Sequence, residues 1–314
     1  MVVENLSHTE HHHLNVNDQK IKAQGTSRSE QGLFLLAQSL FRLDHLGKQK
    51  NPHLLSKTFR DGLFFEEAFR SKTDFWREKA LVVLDKCERL GLKMIHVGEG
   101  YPPLLEKLSD PPKAFFVQGE ISSLFHPSIA MIGSRDAPSV AQENFSRLSG
   151  DVAGFGLSVV SGLAAGMDGA AHRGALLAGG LTVAVVGCGL DRVYPPANRR
   201  LAQDILDGGG ALVSEYPPGD PPLAWHFPFR NRIIAGLSAG AVCGVHRRFS
   251  GTSITVRVAV EENRDLFVFF DEQSGGALDG PKHLMEQGAR RVYDAEDIIL
   301  GLGGGLPDGE ADLF

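Results

Sequence analysis

The chain has 314 residues, 42% hydrophobic and 22% charged, enough for one sizeable core with a smaller domain beside it. A formal net charge of -6 and a pI near 6.1 exclude attraction of a polyanion by the field of the whole molecule, so any nucleic-acid contact must come from a local basic patch. The three cysteines, Cys87, Cys188 and Cys243, are odd in number and lack C-x-x-C spacing, which excludes a disulfide framework and a structural zinc site and fits a reducing, cytoplasmic compartment.

Residues 1–29 read as a disordered polar tail without the basic-then-apolar pattern of a signal peptide. Within it His11, His12 and His13 are bystanders rather than a metal site. From 30 to 97 a small helical domain is expected. Leu33, Leu36 and Leu40, then Leu81, Leu84 and Leu90, recur at helical spacing, with breaks at Asn51-Pro52 and Asp61-Gly62. Residues 98–126 form a proline-rich connector through Tyr101-Pro102-Pro103 and Asp110-Pro111-Pro112, with a short strand at Phe115, Phe116 and Val117.

From 127 to 300 short apolar strands alternate with helical stretches. The strands are expected at 129–132, 157–160, 182–186, 211–213, 241–245 and 266–270. Strands apolar on both faces belong in a sheet covered on both sides, so the pattern predicts a doubly wound, mostly parallel α/β sheet. Its first helix is expected to open with a capping box at Ser139 and Gln142 and to bury Phe145, Leu148 and Val152. The tail 301–314 is acidic and glycine-rich and cannot bury a core of its own. No apolar run is long enough to cross a bilayer, so no membrane contact is expected.

Ligands of parallel sheets bind beyond the carboxyl ends of the strands. Gly133, Ser134 and Arg135 follow the first of these strands: a glycine that admits close backbone approach, a hydroxyl, and a guanidinium suited to phosphate. Ser161 and Gly162 open a glycine-punctuated loop able to cradle an anion, closed by Asp168 as a helix cap. His172, one turn later, reads as a packing histidine. Asn198 is a good N-cap, followed by Arg199 and Arg200, cations that oppose the helix dipole unless an anion docks there. Cys188 reads as a small buried residue. Between Trp225 and Ile234, Phe227, Arg230, Asn231 and Arg232 interleave rings with cations. Two readings stay open for this stretch: a surface for single-stranded nucleic acid, or aromatic plugs with internal ion pairs.

In order and spacing, Tyr101-Pro102, Pro111-Pro112, Gly133-Ser134-Arg135, Ser161-Gly162-Leu163-Ala164 with Asp168 and His172, Gly189-Leu190-Asp191 with Tyr194-Pro195 and Asn198, Ser214-Glu215-Tyr216-Pro217, and Phe227-Pro228 with Arg230-Asn231-Arg232-Ile233-Ile234 resemble the DprA/Smf family of DNA-processing proteins. The resemblance covers roughly residues 75 to 290. It implies an extended Rossmann-like fold after a small helical (SAM-like) domain. It also implies a homodimer that binds and protects single-stranded DNA and helps load the RecA recombinase during natural transformation, with no catalysis and no cofactor. The implied DNA contacts are Gly133, Ser134, Arg135, Ser161, Gly162, Asn198, Arg199, Arg200, Phe227, Arg230, Asn231, Arg232, Ser250, Gly251 and Thr252.

The chain departs from the family's pattern at Val245-His246-Arg247-Arg248-Phe249 and at Phe270-Asp271-Glu272, and the winged-helix domain of many members is expected to be missing. An alternative on the same sheet is a nucleoside-monophosphate-hydrolysing enzyme similar to the lysine-decarboxylase-like phosphoribohydrolases. Its glycine motif has only a displaced counterpart here, Ser274-Gly275-Gly276. The terminal Glu310-Ala311-Asp312-Leu313-Phe314 is similar to peptides that dock into bacterial sliding clamps, through Leu313 and Phe314.

Overall fold

Short runs of β-branched and small apolar residues build the centre of the molecule. The computed structural model describes residues 29–48, 69–98 and 100–303. The histidines at 11–13, the breaks at Asn51-Pro52 and Asp61-Gly62, and the terminal Leu313 and Phe314 lie outside the described residues. In chain order the elements are α1 (Glu30–Lys48), α2 (Thr73–Leu90), β1 (Lys93–His96), α3 (Pro103–Glu106), β2 (Ala114–Gly119), β3 (Ser128–Ile132) and α4 (Ser139–Gly154). There follow β4 (Ser158–Ser161), α5 (Met167–Leu177), β5 (Thr182–Val185), α6 (Arg199–Asp207), β6 (Ala211–Ser214) and α7 (His226–Gly236). The last are β7 (Gly240–Cys243), α8 (Gly251–Glu261), β8 (Asp265–Val268), α9 (Asp279–Glu286), β9 (Arg290–Arg291) and α10 (Ala295–Gly301).

The described strands form one sheet in the order β1-β2-β6-β5-β4-β3-β7-β8-β9. From β6 to β9 every pairing is parallel, whereas β2 runs antiparallel to both β1 and β6. This is the expected Rossmann-like, mostly parallel α/β fold, with an antiparallel extension at one edge. Every residue of β3, β4, β5, β6 and β7 is buried, as strands covered on both faces require. The six anticipated parallel strands occur within two residues of their expected limits; β1 and β9 were not anticipated.

Helix α4 buries Phe145, Leu148 and Val152 as its spacing predicts. Its start corrects the expected capping box: Pro138 precedes the first turn, no side chain caps it, and Gln142 Nε2 donates instead to the Ala137 carbonyl. Helices α4 and α5 approach so closely that a Cβ on Gly174 would lie 1.9 Å from the Ser146 carbonyl oxygen, so only glycine fits there. Among the described residues, helices α1 and α2 share their core with the sheet. Leu36, Leu40 and Phe41 with Trp76, Ala80 and Leu84 belong to one cluster with Met94 of β1 and Phe116 of β2.

The fold encloses neutral histidines. Thr182 Oγ1 donates to the Val159 carbonyl, so it accepts from His172 Nδ1 at 2.7 Å; burial pushes this imidazole down to about 3. His226, stacked on Tyr216 with ring centroids 3.6 Å apart, is pushed down to about 4 by burial. Both folded values lie below the unfolded 6.5, so the stability they carry is complete above pH 6.5 and is lost as pH falls towards the folded values. Between pH 6.5 and 5 the unfolding free energy is expected to drop by about 1.4 kcal/mol per pH unit for each histidine. Thermal denaturation across that range checks this, and a flat midpoint would exclude it.

Candidate nucleic-acid interface

The sheet order reverses about β3, which has β4 on one side and β7 on the other, so a crevice opens beyond its carboxyl end. Gly133, Ser134 and Arg135 turn into that crevice under close backbone control. Ser134 donates its N–H to the Val245 carbonyl at 2.9 Å, and its own carbonyl accepts the Met167 N–H at 3.1 Å. A Cβ on Gly133 would meet Met167 at 2.6 Å, and one on Gly166 would meet the carbonyl oxygens of Ser134 and Arg135 at 2.3 and 2.5 Å. Two glycines therefore let the loop lie directly on the start of α5.

Asp168 is buried beneath this loop, where its carboxylate accepts the backbone N–H groups of Ala164 and Gly133. Gly166, not Asp168, is the residue that precedes α5, so the expected cap is corrected: the carboxylate ties two loops together within the first turn. Burial raises its pKa, while the Arg230 charge opposes that rise.

The crevice is a cavity of about 570 Å³. It brings together Gly133, Ser134, Arg135, Phe227, Arg230, Asn231, Ser250, Gly251 and Thr252 from the expected set. Arg135 is exposed, with its guanidinium 5.5 Å from the Phe227 ring centroid, and among the described residues no carboxylate forms an ion pair with it. The Phe227 ring also lies 5.5 Å from Tyr194, which lines the same cavity. Ser250 precedes α8 in extended conformation and no side chain caps that helix. The first-turn N–H groups and the positive end of its dipole thus face the space beside Arg135.

The other expected residues are elsewhere. Ser161 is buried and donates its hydroxyl to the Met131 carbonyl at 2.6 Å. A Cβ on Gly162 would lie 2.3 Å from the Arg230 guanidinium and 2.6 Å from the Asp168 carboxylate, so this glycine makes room for internal groups. Asn198 does not cap α6 with its side chain; its Nδ2 donates to the carbonyls of Leu163 and Ala164 at 2.9 and 3.2 Å and braces that loop. Arg199 and Arg200 are exposed outside the cavity, and Arg200 pairs with Asp204 at 2.8 Å.

The two readings of the Trp225 to Ile234 stretch divide residue by residue. Arg232 is buried and paired with Glu215 at 2.7 Å and Asp110 at 3.5 Å. Arg230 sits in the cavity floor, donating to the carbonyls of Gly162 and Val185 and to Asn231 Oδ1, and burial pulls its pKa down to about 10. Trp225 and Phe229 pack on Tyr216 with Leu43 and Leu46 of α1, which is the plug reading. Phe227 alone of the three rings lines the cavity. Sequence reasoning gave no site role to Tyr194, Asp136, Ile254 and Thr255, which also line it. Tyr194 was visible only as part of a tyrosine–proline turn.

Several groups with reactive potential are structural. The three cysteines are free and buried, and burial pushes Cys188 up to about 11. Gly276 packs against Pro138 and Val245 and does not line the cavity. No described helix is long and apolar enough to cross a membrane.

The family model of DNA recombination-mediator protein A matches residues 93–303. The chain is 42% identical over 220 residues to Protein Smf of Escherichia coli, an alignment covering 69% of this chain but 59% of that protein. It is 38% identical to DNA processing protein DprA of Streptococcus pneumoniae, over 74% of this chain and 77% of the relative. An X-ray structure of the streptococcal protein superposes with a TM-score of 0.66 at 31% identity, covering 90% of this chain and 96% of that one. A structure of DNA processing protein A from Helicobacter pylori, studied for its single-stranded DNA binding mode, gives 0.60 at 28% identity, over 67% and 95% of the two chains.

Proposed function

This chain belongs to the family of DNA recombination-mediator protein A, and from that premise we propose that it is a single-stranded DNA-binding recombination mediator whose strand enters the cavity beyond β3. The observation that carries the proposal is the unpaired Arg135 guanidinium beside the Phe227 ring, facing the uncapped start of α8. A phosphate placed there meets a planar cation and helix N–H groups, while a base meets an aromatic face. The cavity lining sets Arg135 and Arg230 against Asp136 and Asp168 and the molecule is anionic, so the attraction is local to the exposed Arg135 guanidinium and does not steer DNA from a distance.

The finer reading is that a cytoplasmic homodimer protects unpaired strands and helps load the RecA recombinase. In this reading the protein has no catalytic step. The family description supports the recombination role and the streptococcal relative's name the DNA-processing role, while the homodimer and the recombinase rest on the resemblance alone and the compartment on the cysteine usage. A salt titration tests the proposal. Oligo(dT) binding is expected to weaken linearly on a log–log plot, with a slope of about -0.7 per phosphate neutralised. Duplex of the same length is expected to bind less tightly, because its bases are stacked on one another and are not free to meet Phe227. Affinity independent of salt, or a preference for duplex, would exclude the proposal.

A further inference from the structure

The stretch Arg247-Arg248-Phe249, where the chain departs from the family's pattern, immediately precedes Ser250, Gly251 and Thr252 of the Arg135 cavity lining, while Arg248 and Phe249 themselves line a separate cavity of about 1000 Å³ with Ser253, Val256 and Arg257 of α8. Phe249 is 90% exposed, the most exposed of the large hydrophobic side chains among the described residues. Its chain neighbours Ser250, Gly251 and Thr252 line the Arg135 cavity, so its backbone is one Cα step, about 3.8 Å, from that lining. Arg247 and Arg248 are exposed too, and among the described residues neither forms an ion pair with a carboxylate. The Arg248 guanidinium lies 5.5 Å from the Phe249 ring centroid.

The loop is held in place. Arg248 donates its backbone N–H to Asp279 Oδ2 at 2.9 Å, and Ser253 Oγ donates to the Arg248 carbonyl at 2.6 Å. Asp279, the nearby carboxylate, is thus occupied with the loop's backbone, which leaves the guanidinium groups to the solvent. A fixed turn that keeps an aromatic ring out in water beside two cations has the composition of a stacking platform for an unpaired base, with charges for its flanking phosphates.

We propose that Phe249, with Arg247 and Arg248, forms a second stacking station for single-stranded nucleic acid, extending the footprint from the Arg135 cavity across the start of α8. This inference rests on the single-stranded DNA reading above. The occupant is a polynucleotide because Phe249 adjoins in the chain the Ser250 to Thr252 segment that lines the Arg135 cavity, and the charge of Arg247 and Arg248 is complementary to phosphate.

The test compares Phe249→Ala, Phe249→Trp, Arg248→Ala and Arg135→Ala by fluorescence anisotropy with a long oligo(dT), with molecular mass followed by light scattering. Phe249→Ala is expected to lose about tenfold in affinity at unchanged mass and unchanged salt slope, since stacking releases no counterions. Phe249→Trp should bind as the parent does, with its added indole emission quenched by DNA. Arg248→Ala should lower the salt slope by about 0.7. Phe249 is too exposed for either substitution to disturb folding. Parent affinity in Phe249→Ala, with Arg135→Ala impaired, overturns this inference and leaves the cavity reading standing. Parent affinity in both variants overturns the cavity reading itself. A change of mass in Phe249→Ala overturns the inference as well and assigns the ring to a contact between copies of the chain.

Discussion

Replacing Arg135 with alanine is expected to weaken oligo(dT) binding by roughly tenfold to hundredfold, the range of about 1.5–3 kcal/mol for a hydrogen bond to a charged group. The effect should be the same for oligo(dC) and oligo(dT), because a phosphate contact carries no base information. The salt slope should fall by about 0.7. Arg135 allows this clean test because its side chain is exposed and its loop is held by backbone bonds from Ser134 to Val245 and Met167, none of which the substitution removes. Lysine at this position should recover the slope but only part of the affinity, since an ammonium cannot grip two phosphate oxygens in a planar fork. Competition anisotropy with the parent and both variants measures all of this. A thermally unaltered Arg135→Ala protein with parent affinity would remove Arg135 from the interface.

The same substitution at Arg232 would report something else. Its guanidinium compensates Glu215, which is almost fully buried, so alanine would leave a carboxylate without its partner in the interior. Any loss of DNA binding there would follow from lost folding. The sequence contains no local sign of this difference. Arg230 and Arg232 are two residues apart in an aromatic–basic stretch, and the partners that bury Arg232, Glu215 and Asp110, come from other parts of the chain.

What was legible in the residues themselves was whatever depends on near neighbours. The continuous apolar runs of β3 to β7 required cover on both faces, and the position of Gly133-Ser134-Arg135 just after β3 followed from them. Strand β9 was hidden because Arg290 and Arg291 are polar and only two residues long; β8 supplies its pairing. Strand β1 was hidden by the helical stretch it follows. Asn198 and Asp168 look like caps because those residue types favour helix starts. Tertiary approach redirected both, Asn198 to the Leu163 and Ala164 carbonyls and Asp168 to the N–H groups of Gly133 and Ala164.

Asp168 therefore links the stability of the fold to the shape of the interface, and replacing it with alanine is expected to cost about 3–5 kcal/mol of stability, the usual consequence of leaving a buried charge uncompensated. Three losses coincide. The N–H groups of Gly133 and Ala164 lose their acceptor, and Arg230 keeps only neutral acceptors in Gly162, Val185 and Asn231. Burial already disfavours the Asp168 charge, so what retains the carboxylate is this set of donors and the neighbouring cation rather than any intrinsic preference. Asparagine should separate the contributions. Its side-chain oxygen can still accept from one of the two N–H groups, so Asp168→Asn should lose less stability than Asp168→Ala while still loosening the turn that carries Arg135. Urea denaturation gives the stabilities, and oligo(dT) affinity at a temperature where both variants are folded gives the effect on the site. If Asp168→Ala unfolds at the parent's midpoint with unchanged slope, the carboxylate is not compensating Arg230, and the loop beyond β3 must be held by Val245 and Met167 alone.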